Sequence, residues 1–315
     1  MRVDSGGPGD RWFRLGVAGA GSAAGLLFGL PLGWPGAAAG AGAGLAVGAL
    51  IGAATGRRRS RRRRLLATPA PPERQSRLRE LWHHYARLPE DLRRRFDDDL
   101  RVFLAEKRIS GVEVDPDGEL GLLVAASAVS LSVGWPDFEW DALTEVLLYP
   151  DDFDCDYGFD EADRAGETHP WGTVVLSVPA LRDSFSEPGP FHVGIHEFAH
   201  LLDVERSEFY GSGGMAGPEL EAWLELRERE MGRLLRGDSV LDEYGADDPV
   251  EFFAVAVESF FQQPDRLRRG HSALYGTLSR YFRQDPAAWT TAPLPGRRGR
   301  HRRSRPRRAR ARARP

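Results

Sequence analysis

The sequence of 315 residues contains one cysteine, one lysine and no asparagine. A single cysteine, Cys155, cannot form an intramolecular disulfide, so the chain is not a secreted scaffold held together by disulfides. A zinc site built from several cysteines is excluded for the same reason. The scarcity of lysine and asparagine is typical of a GC-rich genome and carries no functional information.

The formal net charge is only −3, but the charge is unevenly distributed. Seven arginines fall within residues 57–64 and eleven within residues 297–314. Residues 65–295 hold 44 acidic and 22 basic residues. Because the basic runs lie outside the segment expected to fold, we expect nucleic-acid binding only weakly, through the arginine-rich tail. The alternative is a solubilising tail that folds back on the acidic domain.

Residues 15–56 contain no charged residue and are rich in glycine and alanine. Pro31 and Pro35 divide this segment into two arms, and the second arm, 36–56, is long enough to span a bilayer. Glycine recurs every fourth residue in each arm, a pattern that lets membrane helices approach closely; these positions are Gly21, Gly25, Gly29, Gly33, Gly36, Gly40, Gly44, Gly48, Gly52 and Gly56. The alternative is a low-complexity tail, because glycine and alanine are only weakly hydrophobic.

Seven arginines directly after residue 56 place that end of the segment on the cytoplasmic side. Whether the segment forms one span or a hairpin, we expect the remaining chain to lie in the cytoplasm, tethered to the membrane. The predicted organisation is a short tail at 1–14, the membrane segment at 15–56, a basic run and proline-rich linker at 57–72, a folded domain at 73–290 and a disordered arginine-rich tail at 291–315.

The folded domain is predicted to be mostly helical with a small sheet. Apolar residues at helical spacing predict two helices between residues 73 and 104 and a buried helix at 120–131. Two apolar runs bounded by glycine and proline predict strands at 145–149 and 173–178, with an acidic surface loop at 151–170 between them. Further helices are predicted at 191–204, 218–236, 248–262 and 272–283.

The segment His196-Glu197-Phe198-Ala199-His200 has the HExxH pattern and lies in an apolar run. Residues four apart share one face of a helix, so both imidazoles can bind one Zn²⁺, with Glu197 beside the metal as general base. The alternative, a core helix with two satisfied histidines, would bury Glu197 without a partner. The sequence therefore predicts a zinc site.

Two histidines leave a catalytic zinc one protein ligand short. Arg206 occupies the position of the third histidine in the metzincin pattern, and arginine cannot bind the metal. Glu251 and Glu258 lie seven residues apart in a downstream apolar segment, and either carboxylate could complete the site. Spacing favours Glu251 only slightly, because with Asp248 and Pro249 it could instead form a helix capping box.

Four segments together carry a more specific pattern, namely HEFAHLLD at 196–203, YGADDPVEFFA at 244–254, LLYP at 147–150 and WGTVVLS at 171–177. In these segments the sequence resembles the Mlc titration factor A family of bacterial zinc peptidases, over roughly residues 75–290. The resemblance implies an α+β zincin-like metallopeptidase fold. It also implies Glu251 as the third zinc ligand and Tyr244 as the hydroxyl that stabilises the oxyanion.

The same resemblance implies an aminopeptidase-like activity on short peptides and a glucose-responsive transcriptional repressor as a partner. Residues 1–66 and the tail after 296 depart from the family's soluble form, which puts that partner in doubt. The alternative function is a membrane-tethered protein that sequesters a transcriptional regulator, with a structural or residual zinc site. The intact Glu197 and Tyr244 argue against it, because a structural site needs neither.

Three further expectations concern the surroundings of the site. Asp203 is either a residue that orients a ligand imidazole or a solvated acid at a helix end, and His192 is more readily structural than metal-facing. The strand at 173–178 is either the edge strand that pairs with substrate or a core strand. His83 and His84 are predicted at the surface, and three histidines have no partner at ligand spacing, namely His169, His271 and His301.

Overall fold

The computed structural model describes residues 9–136, 138–158, 164–186, 189–207 and 211–289. The arginine-rich tail predicted after residue 290 lies outside these described residues. The chain divides into two compact units, Met1–Pro69 and Ala70–Pro315.

The first unit consists of two helices, α1 (Gly9–Gly29) and α2 (Gly33–Leu66), joined by a single 3₁₀ turn at Leu30–Leu32. The glycines of the two arms face each other across the helix pair, with Gly21 against Gly44, Gly25 against Gly40, and Gly29 against Gly36. The helices are therefore antiparallel, and the unit is a hairpin. A Cβ atom at Gly25 would collide with the carbonyl oxygen of Gly40, so the close approach depends on glycine.

Large apolar side chains of the hairpin lie on its outside. Phe28 is 86% exposed and Trp34 is 83% exposed, and leucines along both helices are also exposed. Gly33–Leu66 is the one helix among the described residues that is long and apolar enough to cross a membrane. Length and composition alone are weak support for membrane association.

The second unit contains a four-stranded sheet in the order β1-β2-β4-β3. Its strands are β1 (Ile109–Gly111), β2 (Glu145–Tyr149), β3 (Gly166–Thr168) and β4 (Thr173–Ser177). Strands β1, β2 and β4 are parallel, and β3 pairs with β4 in antiparallel orientation.

The possibility that 173–178 is an exposed edge strand is wrong. Strand β4 lies between β2 and β3, and the edge is β3, within the segment predicted as a surface loop. Because β3 consists of only Gly166-Glu167-Thr168, it shows no alternation of apolar residues that would indicate a strand. Strand β4 ends one residue before the predicted end at 178, because Val178 begins a helix.

Helices make up most of the second unit, which agrees with an α+β metallopeptidase domain. They are α3 (Pro72–Leu81), α4 (His83–Arg87), α5 (Glu90–Glu106), α6 (Glu119–Ser132), α7 (Val178–Ser186), α8 (Val193–Ser207), α9 (Pro218–Leu235), α10 (Pro249–Gln262), α11 (Pro264–Gly270) and α12 (Ser272–Phe282). Helices α7 and α11 are not among the predicted elements. Helix α7 begins beside Pro179, which bounds the predicted strand at 173–178, and α11 begins at Pro264.

The centre of the core is formed by α6, α8 and α10. Every residue of α10 from Glu251 to Gln262 is buried, as is nearly all of α6. Helix α8 packs against both of them and against β3 and β4. The polar side chains of α8 therefore lie in the interior of the domain. Each of them needs a hydrogen-bonding or metal partner there, because burying an unpaired polar group is costly.

The prediction that His83 and His84 lie at the surface is wrong for His84, which is only 1% exposed. Its Nε2 atom lies 3.2 Å from Oε1 of Gln284, and its ring packs edge-on against Phe261. These partners lie far along the chain, so the local helical pattern could not reveal them. Burial lowers the pKa of His84 to about 3.

Candidate metal centre

His196 and His200 on α8 and Glu251 in the first turn of α10 lie together in the core. The Nε2 atoms of the two histidines are 3.0 Å apart. Oε2 of Glu251 lies 3.2 Å from Nε2 of His196 and 3.6 Å from Nε2 of His200. The structure therefore brings Glu251, and not Glu258, to the two histidines of the HExxH pattern.

The first turn of α10 sets the position of Glu251. Asp248 is the N-cap of this helix, and its carboxylate accepts hydrogen bonds from the backbone N–H groups of Val250 and Glu251, at 2.7 and 3.0 Å. Pro249 follows at the first helical position, as expected for a helix start. Capping thus depends on Asp248, and the side chain of Glu251 is directed at the histidines.

The three side chains fit a metal ion. Oε2 of Glu251 is buried and accepts no hydrogen bond, and Nδ1 of His200 is likewise buried without a partner. Burial raises the pKa of Glu251, but the two histidines lower it by more, so the carboxylate is ionised. An ionised carboxylate and two imidazoles whose donor atoms converge form a typical set of metal ligands.

Glu258, the other candidate ligand, contacts His196 from the opposite side of the ring. Its Oε1 atom lies 2.6 Å from Nδ1 of His196, and its Oε2 atom accepts a hydrogen bond from the backbone N–H of His192 at 2.6 Å. A carboxylate on Nδ1 fixes the tautomer that leaves Nε2 available to a metal. Glu258 therefore holds His196 in the orientation that the cluster requires.

His192 does not join the cluster. Its ring packs edge-on against Trp82 and Phe185, with ring centroids 4.9 and 4.6 Å away. Its Nδ1 atom accepts a hydrogen bond from the backbone of Ile195. Burial lowers the pKa of His192 to about 3, which agrees with a neutral, structural side chain.

One of the two expectations for Asp203 is wrong. It is fully buried, so it is not a solvated acid at the helix end. Its carboxylate accepts hydrogen bonds from the backbone N–H groups of Gly211, Ser212 and Gly213, at 2.6 to 2.9 Å. Gly211 in turn lies against the backbone of Pro249. Asp203 thus fixes a loop against the start of α10, the helix that carries Glu251.

Glu197 lies beside the cluster and contacts strand β3. Its Oε2 atom is 2.9 Å from the hydroxyl of Thr168, which also lies 2.8 Å from the carbonyl oxygen of Glu197. A Cβ atom at Gly166 would come within 2.7 Å of Oε1 of Glu197, so β3 leaves space for this carboxylate. Burial raises the pKa of Glu197, although His196, His200 and Thr168 partly offset the rise.

Tyr244 lies in the 3₁₀ turn Glu243–Ala246, which precedes α10. Asp242 caps this turn by accepting a hydrogen bond from the backbone N–H of Tyr244 at 3.1 Å. The ring centroid of Tyr244 is 6.1 Å from that of His196. All five predicted site residues therefore lie in one region of the domain.

Residues 57–283 match the family of glucose-regulated metallo-peptidases M90. The chain belongs to this family. The M90 match contains every residue of the cluster, together with Glu197 and Tyr244. The buried cluster of His196, His200 and Glu251, which could hold a metal ion, agrees with this membership.

Several relatives resemble the chain over most of their length. An uncharacterized protein of Synechocystis sp. is 30% identical over 254 residues, which cover 71% of this chain and 88% of that protein. The Mlc titration factor A of Edwardsiella ictaluri is 32% identical over 224 residues, covering 64% and 84%. The Mlc titration factor A of Escherichia fergusonii is 31% identical over 207 residues, covering 58% and 76%.

Sequence reasoning did not find Thr168 or Gly166, the two residues of β3 that contact Glu197. It also did not find a partner for His271, whose Nδ1 atom lies 2.5 Å from Oε2 of buried Glu230. That pair links α9 to the start of α12 and lies outside the metal cluster. No local spacing indicates such contacts, because the partners come from elements brought together only by the fold.

Proposed function

We propose that this chain is a zinc-dependent peptidase of aminopeptidase-like specificity for short peptides. In this proposal His196, His200 and Glu251 hold Zn²⁺ and Glu197 is the general base. The observation that carries it is the convergence of two imidazole nitrogens and one unbonded, ionised carboxylate oxygen next to a buried fourth side chain, Glu197. Two nitrogens and one oxygen match the ligand set of catalytic zinc, which keeps a further position open for water or substrate.

Bound zinc would supply Lewis-acid chemistry, polarising the scissile carbonyl and acidifying the attacking water. Glu197 would accept the proton of that water and deliver it to the leaving amine as the peptide bond breaks. Its raised pKa brings the carboxyl closer to the working pH of such a proton carrier. The Thr168 hydroxyl would hold the carboxylate in place, and the Tyr244 hydroxyl would donate a hydrogen bond to the oxyanion.

Strand β3 supplies a place for the substrate backbone. It is the edge of the sheet and carries the two residues that contact Glu197, namely Gly166 and Thr168. An extended peptide that pairs with this edge would lie beside the general base. This zincin-like arrangement of metal helix and edge strand is part of the proposal.

The test is a comparison of the full chain with its Glu197→Gln and Glu251→Gln variants. We expect one zinc per wild-type chain by elemental analysis and cleavage of short peptides. Glu197→Gln should retain the metal and lose at least a hundredfold in kcat, because general bases contribute about 10²–10⁴-fold. Glu251→Gln should lose the metal.

Two outcomes would contradict the proposal. If the wild-type chain binds no zinc, the ligand assignment is wrong. If it binds zinc but cleaves no peptide of a broad library, the regulatory alternative gains support. The relatives are named for titration of Mlc, so capture of an Mlc-like transcriptional regulator on the immobilised chain would then be the measurement to make.

We also propose that the α1–α2 hairpin anchors the chain in the inner membrane from the cytoplasmic side. The apolar part of α1, residues 15–29, is about 22 Å long, shorter than the roughly 30 Å hydrocarbon core. Arg11 and Arg14 precede it, and the arginines of 57–64 follow the apolar part of α2. Since the helices are antiparallel, both basic ends lie on the same side, as the positive-inside rule requires.

The topology can be tested with a single introduced cysteine. Cys155→Ser removes the one native cysteine, and Ser5→Cys then marks the N-terminus. In intact cells a membrane-impermeant maleimide should not label Cys at position 5, whereas permeabilised cells should be labelled. Labelling of intact cells would indicate a single span with an external N-terminus. Recovery of the chain in the soluble fraction would exclude the anchor.

A further inference from the structure

Trp171 is an exception to the burial of large apolar residues in the second unit. Among the described residues of that unit, two large apolar side chains are exposed, Trp171 at 66% and Leu235 at 73%. Exposed tryptophan side chains frequently contribute most of the energy of a binding contact. The environment of Trp171 therefore bears on what this surface binds.

The exposed indole is held in a fixed position. Trp171 lies in the turn between β3 and β4, which is closed by a hydrogen bond from the N–H of Gly172 to the carbonyl of His169 at 2.9 Å. Gly172 has φ +90°, and a Cβ atom there would collide with the carbonyl oxygen of Ala142. The indole stacks on the His169 imidazole with 4.4 Å between centroids and 7° between planes. The Tyr157 hydroxyl contacts Nε2 of His169.

The hydrogen bonds of β3 determine which backbone groups are available for a further strand. The backbone N–H of His169 donates to the carbonyl oxygen of Thr173, and the N–H of Ser177 donates to the carbonyl oxygen of Ala165. The odd-numbered residues from 165 to 169 therefore bond to β4. In an antiparallel pair the intervening residues direct their backbone groups to the other side. The N–H and C=O groups of Gly166 and Thr168 thus face away from β4, on the side where Arg164 pairs with Phe153. Among the described residues, no strand of the sheet pairs with β3 on that side.

Side chains alternate between the two faces of a strand. Gly166 and Thr168 are on the face that contacts Glu197. Glu167 and His169 are consequently on the opposite face, where both contact the hydroxyl of Tyr157. An extended peptide bonded to Gly166 and Thr168 would have side chains on both faces. One of them would lie opposite His169 as a cross-strand neighbour.

We propose that Trp171 and His169 form a subsite that binds a flat apolar, preferably aromatic, side chain of the peptide. The proposal rests on the proposed function, because it requires the peptide to lie along β3. A stacked pair of rings offers its contact area without loss of side-chain freedom on binding, and aromatic side chains gain from ring–ring geometry beyond their buried area.

Two carboxylates that lie near Tyr157 in space or along the chain already have partners. Glu167 is already paired with Arg164 at 2.8 Å and accepts a hydrogen bond from Tyr157. Asp154 accepts hydrogen bonds within its own turn, from the N–H groups of Asp156 and Gly158. These carboxylates are engaged, so a lysine or arginine of the peptide would gain little from them.

The test is a specificity profile of the full chain. Peptides that carry phenylalanine, leucine, arginine or glycine at each position in turn would be compared between the wild type, Trp171→Ala and Trp171→Phe. We expect Trp171→Ala to lower kcat/KM about tenfold for phenylalanine at one position, through KM, with little effect on the glycine and arginine peptides. Trp171→Phe should restore most of the loss. Leu235→Ala, the other exposed apolar side chain, is the matched control and should change nothing.

A binding measurement separates this proposal from the peptidase assignment. Fluorescein-labelled phenylalanine and glycine peptides would be titrated against Glu197→Gln and against the Glu197→Gln, Trp171→Ala double variant, with anisotropy as the readout. A tenfold weaker affinity for the phenylalanine peptide alone supports the subsite even if no peptide is cleaved. Equal affinities of the two variants for the phenylalanine peptide, an equal loss for both peptides, or binding of neither peptide would overturn the subsite. Equal affinities together with normal cleavage by the wild type would leave the peptidase assignment intact.

Discussion

The two units of the chain distribute apolar residues in opposite ways. In the hairpin, leucine, phenylalanine and tryptophan are outside, and the contact between α1 and α2 is made by glycine backbone. In the second unit, phenylalanine, leucine and valine fill the interior, and the described surface exposes only Trp171 and Leu235 among large apolar side chains.

Charges follow the same contrast. Residues 15–56 contain none, whereas the second unit buries charged and titratable side chains in its centre, including Glu197, Glu251 and Glu258. A surface of apolar side chains suits a solvent without water, and buried charges are stable only with specific partners. In the proposed membrane location the apolar outside of the hairpin contacts lipid, whereas the folded domain depends on internal contacts.

The same substitution placed on each unit tests this contrast most strongly. Leu45→Arg puts a charge at the centre of the apolar part of α2, where it should oppose insertion by about 2.5–3.5 kcal/mol. We expect the variant to shift from the membrane pellet to the alkaline-soluble fraction. Leu235→Arg, at an exposed leucine of α9, should leave both fractionation and domain stability unchanged. Equal behaviour of the two variants would remove the distinction between the units.

The sequence predicted most of the long elements, and it indicated the three side chains that the structure brings together. Binding of a metal by these side chains stays a prediction. Periodicity indicated the long helices of the second unit and strand β2, because their apolar residues repeat over several turns or alternate regularly. The HExxH spacing on one helix indicated His196 and His200, and the resemblance selected Glu251 over Glu258. The roles of these residues in catalysis stay predictions.

The elements that the sequence did not predict depend on distant contacts. Strand β3 is too short for a pattern and exists because it pairs with β4. His84 is buried by residues near 261 and 284, and Asp203 is satisfied by a loop that follows α8. In each case the local sequence permits several environments, and the fold selects one of them.

Two buried carboxylate–histidine pairs in the second unit allow a matched test of the metal centre. Glu258 contacts His196, a cluster residue, whereas Glu230 contacts His271, which is outside the cluster. Glu258→Gln should weaken zinc affinity about 10–100-fold, because it removes the charge that orients and polarises the ligand. Glu230→Gln should leave zinc affinity unchanged. Competition with a chelating dye measures both, and an equal loss in the two variants would indicate a general loss of structure.

The smallest effect that distinguishes the units is a pH dependence. The hairpin has no histidine, whereas burial lowers the pKa of His84 in the second unit to about 3. Above its unfolded pKa of about 6.5, His84 is neutral in both states and contributes no pH dependence. As the pH falls below that value, the unfolded chain binds a proton that the folded chain does not, so stability decreases with a slope of up to about 1.4 kcal/mol per pH unit.

His84→Gln should reduce that slope between pH 6 and pH 4, whatever it does to stability at neutral pH. Urea denaturation of the full chain in detergent, followed by near-ultraviolet circular dichroism, measures the slope for both proteins. The comparison uses slopes because the substitution also disturbs the contact with Gln284. An unchanged slope would mean that His84 is already protonated in the folded domain or is solvated there. Insertion of the hairpin should not respond to pH over the same range, since its apolar segment contains no titratable group.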